Sequence, residues 1–72
     1  MNAEALRNFL RAQPFLPLEI HMSDGQVHRI NHPECSMVTG SRLYVYEQDS
    51  DRVIVCSLLH ISSVQFQEPA MS

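Results

Sequence analysis

The spacing of apolar positions changes period along the chain, and each change marks an element. From Asn2, a suitable N-cap, the stretch AEALRNFLRAQ places Leu6, Phe9 and Leu10 at the i, i+3, i+4 spacing of one helical face. Glu4 in the first turn and Arg11 near the last suit the helix dipole. Pro14 pushes its predecessor out of helical geometry and offers no N–H, so the spacing predicts a helix over about residues 3–13. So short a helix is marginal alone in water, and its Leu/Phe face needs a surface to pack on.

The period then drops to two. Leu18, Ile20 and Met22 alternate with Glu19 and His21, which predicts a half-buried strand over about residues 18–23. Asp24 and Gly25 define a hairpin turn, because both tolerate positive φ. The return strand is expected over about residues 26–39, bent at Pro33, which cannot donate to a ladder. A three-residue loop with a bulge is read as placing Met22 opposite His28, Ile20 opposite Ile30 and Leu18 opposite His32; a two-residue turn would set Ile20 against Arg29. RLYVYEQ predicts a strand over about residues 42–48. RVIVCSL, nearly continuous in apolar character, predicts one over about 52–57 covered on both faces, and ISSVQF one over about 61–66 with a slip of phase. Residues 67–72 read as a frayed tail, and residues 1–72 as a single domain.

The connections are too short for parallel crossovers. The expected fold is therefore mainly β: an N-terminal helix followed by a five-stranded, strongly bent antiparallel sheet or small barrel, of the Sm-like or SH3-like kind. With 72 residues the core is thin, since a chain of this size buries only about 60% of its unfolded surface. Pairing between copies would relieve that, and a homo-oligomer is expected.

Charge narrows the choice of partners. Five arginines and no lysine stand against eight acids, for a net charge of −3, and Arg7, Arg11, Arg29, Arg42 and Arg52 are scattered rather than clustered. Phosphate binding through counterion release is disfavoured, though folding can gather scattered arginines. No apolar run approaches the length of a membrane span and no secretory leader is recognisable, so a cytoplasmic location is expected, with Cys35 and Cys56 as free thiols.

Two resemblances extend over most of the chain. The pieces LRNFLRAQ, LEIHMSDG and LLHISSV follow in the order and spacing of the Sm-like RNA chaperone family of bacteria, which likewise opens with a helix and ends with a histidine-bearing turn and a last strand. That resemblance implies the fold. The basic residue and histidine that serve the RNA site in that family align with Leu58 and Leu59, with His60 one place later, and the family's second-strand glycine is missing. The chain also resembles a family of short, uncharacterised bacterial proteins with a PF.P..I...DG....I.HPE opening and a late HI.SV. Leu6, Arg7, Leu10, Pro14, Phe15, Pro17, Ile20, Asp24, Gly25, Ile30, His32, Pro33 and Glu34 carry that likeness.

Catalytic chemistry finds little support. His28, His32 and Cys35 have a superficial ligand spacing, but strand residues four apart lie about 13 Å from one another, too far to share an ion. Cys56 sits in the most apolar strand, and Cys35 follows an anion that disfavours its thiolate. Two glycines cannot build a phosphate loop. No catalytic, metal or cofactor residues are therefore assigned. The expected function is a non-enzymatic, self-associating protein-interaction module, joining a second copy or another protein through exposed strand edges such as RVIVCSL and ISSVQF. The alternative is an Sm-like nucleic-acid-binding regulator. Candidate surface residues are Arg29, Arg42, Tyr44, Tyr46 and His60; Asp24, Gly25 and Pro33 are assigned to turns.

Overall fold

A computed structural model of the chain describes residues 1–67. Of the frayed tail expected over 67–72, Gln67 is instead held in place, donating to the Pro17 and Leu18 carbonyls and to the Asn31 side chain, and 68–72 lie outside the described residues. One helix, α1 (Ala3–Leu10), precedes six strands: β1 (Leu18–Met22), β2 (Val27–Ile30), β3 (Ser36–Val38), β4 (Arg42–Glu47), β5 (Arg52–Ser57) and β6 (Ile61–Phe66). They form two three-stranded antiparallel sheets, ordered β2-β1-β6 and β3-β4-β5. The mainly β expectation holds in this coarser form. Six strands replace the expected five, and the two sheets do not close into a barrel.

Pro33 explains the extra strand. Rather than bending one long strand over residues 26–39, it starts a 3-10 turn, Pro33–Cys35, that takes these residues out of either ladder. The Cys35 N–H donates to the His32 carbonyl and the Ser36 hydroxyl to the Pro33 carbonyl, each at 3.0 Å. β2 therefore pairs with β1, and β3 starts afresh beside β4. A second 3-10 turn, Leu58–His60, carries the chain from β5 back to β6.

The Asn2 side chain caps α1 by accepting from the Glu4 N–H at 2.7 Å. The helix stops at Leu10, three residues earlier than predicted, and Arg11 is its C-cap. A helix running on to residue 13 would press the Pro14 ring against the carbonyl of Leu10, so the chain leaves helical geometry before that turn.

The first hairpin has the three-residue loop but not the expected pairing. The Gly25 N–H returns to the Met22 carbonyl and the Met22 N–H to the Gln26 carbonyl, at 3.0 and 2.8 Å. Gly25 takes φ +95 and the Asp24 carboxylate accepts from the Gln26 N–H. Leu18 consequently pairs with Ile30, Glu19 with Arg29, Ile20 with His28 and His21 with Val27. The shift is two residues, which preserves parity, and Leu18, Ile20 and Ile30 still share the inward face. The phase slip in the last strand is a bulge. Met22 pairs with Ile61 but His21 with Ser63, leaving Ser62 over, its hydroxyl donating to the His21 carbonyl at 3.0 Å. That extra residue lets Ile61 and Val64, three apart, both face inward.

The core lies between the sheets: Leu6 from α1, Leu18 and Ile20 from β1, Ile30, Leu43, Val45, Cys56, Leu58 and Ile61. No buried side-chain polar atom lacks a partner among the described residues. Phe9 extends the cluster, meeting Phe66 edge to face with centroids 5.7 Å apart.

Candidate interaction surface

Each sheet has two edge strands, and among the described residues the longer one in each leaves its outer ladder unpaired; the hydrogen bonds just beyond those strands identify the groups left over. The Leu58 N–H donates to the Ser41 carbonyl at 3.0 Å, in register with the β4–β5 pairing. Peptide groups alternate sides along a strand, so Val53, Val55 and Ser57 direct their N–H and C=O away from β4. The Gln67 N–H likewise donates to the Pro17 carbonyl at 3.0 Å, which turns the groups of Val64 and Phe66 away from β1. These two strands are β5 and β6, the RVIVCS and ISSVQF stretches of the sequence.

The free edge of β5 opens into a groove of about 590 Å³ whose far wall is the β1–β2 hairpin. Ile54, Cys56 and Met22 supply apolar lining, and Asp24, His28 and His60 polar lining. The groove is held open at one end by a 2.7 Å bond from the Ser23 N–H to the His60 carbonyl. His60 thus contributes its backbone to hairpin placement while its side chain remains exposed. Burial pushes the Cys56 thiol pKa up, with the Asp24 charge adding to it, and Cys56 is not activated as a nucleophile.

The expectation that β5 is covered on both faces is overturned. Ile54 and Cys56 face the core, but Val53 and Val55 are 61% and 54% exposed. Their partners explain why: Val53 pairs with Tyr46 and Val55 with Tyr44, which in turn pairs with Met37. All five side chains stand on the outer face of the β3-β4-β5 sheet; at its margin Met37 shares a cleft with Arg7, Leu10 and Arg11 of α1 and its C-cap, and among the described residues nothing covers Val53 or Val55. Sequence reasoning missed Met37, Val53 and Val55. The available signal was the pairing across the Asp49–Asp51 turn, which sets these valines opposite the tyrosines and not opposite Leu43 and Val45.

Of the five candidate residues, Arg42, Tyr44 and Tyr46 come together on this outer face. Arg29 lies on the other sheet, its guanidinium 3.3 Å from Glu19, and His60 lines the groove. Tyr46 also reaches a polar cleft of about 380 Å³ shared with Arg29, His32 and Cys35. His28 is on the groove side instead, and among the described residues no three His, Cys, Asp or Glu side chains gather as metal ligands. No helix among the described residues is long and apolar enough to cross a membrane.

The Tyr46 hydroxyl donates to Asp51 at 2.9 Å. That bond, followed by burial and the nearby Cys35 thiol, raises the Tyr46 pKa above the usual phenol value. The folded state holds this proton more firmly than the unfolded chain. Its contribution to stability is therefore full below the ordinary phenol pKa and is lost as pH rises through the raised one. In a tyrosinate absorbance titration the Tyr46 phenol is expected to titrate high and to move down in Asp51→Asn; an identical profile in the variant would refute the assignment.

Comparison with family models, curated proteins and solved structures found no match.

Proposed function

We propose that this chain is a non-enzymatic protein-interaction module that self-associates strand to strand, β5 of one copy lying beside β6 of the next. The observation that carries the reading is that these two strands, each six residues long, are the longer edge strands of the two sheets and leave their outer ladders free among the described residues. Edge strands in monomers are usually blunted by charge, proline or a covering element. Between Arg52 and Ser57, β5 has none of these, only Val53, Ile54, Val55 and Cys56. The groove beside it has room for an extended strand. Leu59, 88% exposed on the turn joining β5 to β6, adds apolar surface where either pairing would place a neighbour.

Adding a strand to a sheet edge gives affinity through main-chain bonds and specificity through the pockets for alternate side chains. β5 and β6 are different surfaces, so the contact is head-to-tail and closes a ring if the rotation per copy allows. An open pair of sheets with an Sm-like or SH3-like layout would use its edges in this way, and another protein presenting an extended segment could occupy the same groove.

Ser57→Pro tests the reading with little disturbance of the fold. Ser57 already has φ −76, within proline's range, and its N–H is one that points away from β4. Native mass spectrometry is expected to find an oligomer for the unaltered protein and smaller species for the variant at equal concentration, with unchanged circular dichroism. A monomer before any substitution would refute the proposal.

A second reading, nucleic-acid binding, is favoured by one observation: Arg42, Tyr44 and Tyr46 share an exposed face on which bases could stack. Salt separates the two, because phosphate contacts weaken steeply as ionic strength rises and edge pairing does not. Ultraviolet absorbance of the purified oligomer reports co-purified nucleic acid directly.

A further inference from the structure

We infer that the outer face of the β3-β4-β5 sheet is a second, separate self-association surface, on which another copy packs face to face about a two-fold axis running across the strands. Met37, Tyr44, Tyr46, Val53 and Val55 form one contiguous apolar patch there. Met37, Val53 and Val55 are each more than half exposed. Such a patch measures on the order of a few hundred Å², the size at which an exposed apolar area on a small protein marks an interaction site. The strand-edge reading leaves this face uncovered.

Charge selects the occupant and its orientation. Arg42 opens β4 at one end of the patch, on the same face as Tyr44 and Tyr46, and has no carboxylate within ion-pair distance among the described residues. Asp51 closes the other end, held there by the Tyr46 hydroxyl. The two ends are separated by roughly the 17 Å of a six-residue strand. A two-fold axis across the strands reverses strand direction, so it sets Arg42 of each copy against Asp51 of the other. It also places Tyr44 over Tyr46 and Val53 over Val55. An axis parallel to the strands would instead oppose Arg42 to Arg42. The patch is therefore complementary to itself in one orientation.

Burying the patch on both copies with its charged rim reaches about the lower bound of a specific interface, near 1,200 Å². The pair is weak in isolation, and copies already joined through their edges would hold one another through several such faces at once.

The test combines Val53→Ser/Val55→Ser, which leaves every core residue in place, with the Ser57→Pro variant. In the Ser57→Pro background, sedimentation equilibrium is expected to give a two-copy species, and adding the two serines should raise its dissociation constant on the order of a hundredfold, since four valines leave the contact. Arg42→Glu should raise it about tenfold at low salt, with the difference fading near about 1 M salt. If edge pairing does not occur, the unaltered protein is itself the two-copy species and the serine variant a monomer, which supports this inference while removing the other. Unchanged mass on adding the serines, in both backgrounds, would overturn it. So would a face occupied by co-purifying nucleic acid with no doubling of mass.

Discussion

Leu43→Ala is expected to lower the unfolding free energy by roughly 3 kcal/mol, the middle of the range for a fully buried leucine. Leu43 is completely buried in the central strand of its sheet, with Val38 paired on one side and Cys56 on the other. The cavity would open between two sheets held apart by other side chains, so little collapse can fill it. Against a total of about 4–10 kcal/mol for a domain of this size, that is a large fraction. Urea unfolding should give a much lower midpoint with an unchanged slope. A shift below about 1 kcal/mol would mean that Leu43 does not sit in a packed interior. Because self-association of the kind proposed would stabilise the folded state by mass action, both proteins must be compared at equal concentration.

Ile20→Ala should be the second most damaging change, at about 3 kcal/mol, because Ile20 is completely buried in the central strand of the other sheet, opposite Val64. Deleting Ser62 should cost far less. With the bulge residue gone, Ile61 and Val64 stand two apart and keep Met22 and Ile20 as partners, so both still face inward on a regular ladder. Ser62→Ala removes only the hydroxyl bond to His21 and should cost less than about 1 kcal/mol. A deletion as costly as Ile20→Ala in urea unfolding would contradict the bulge.

The sequence reading succeeded where one local pattern fixed an element. β5 and β6 fall at their expected limits, and the Asp24-Gly25 turn forms where its composition requires it. It failed where an outcome depended on partners. Pro33 reads as a disturbance of the strand, but whether a proline bends a strand or divides it depends on what lies beside the residues that follow. Those residues pair with β4, a strand the local pattern cannot see. The apolar run of β5 reads as a strand buried on both faces because composition does not say which sheet face is covered. The phase slip near Ser62 was visible, but its position emerged only from pairing with β1, some forty residues away. For the candidate interaction surface, Arg42, Tyr44 and Tyr46 follow from strand alternation alone. Met37, Val53 and Val55, which complete it, follow from register.

The two 3-10 turns bear on the order in which the molecule assembles. The β3-β4-β5 sheet is built from the contiguous stretch Ser36–Ser57, joined by short turns, and can form as soon as that stretch exists. The other sheet cannot: β1 pairs Leu18 with Phe66, so its third strand arrives last and must close a loop spanning most of the chain. During synthesis β1 therefore waits with one edge bare until the final strand emerges. In that interval the β6 of a neighbouring chain is chemically identical to the chain's own. That interval is the step at which exchange of β6 between copies would compete with docking at home, and a higher concentration during folding would favour it.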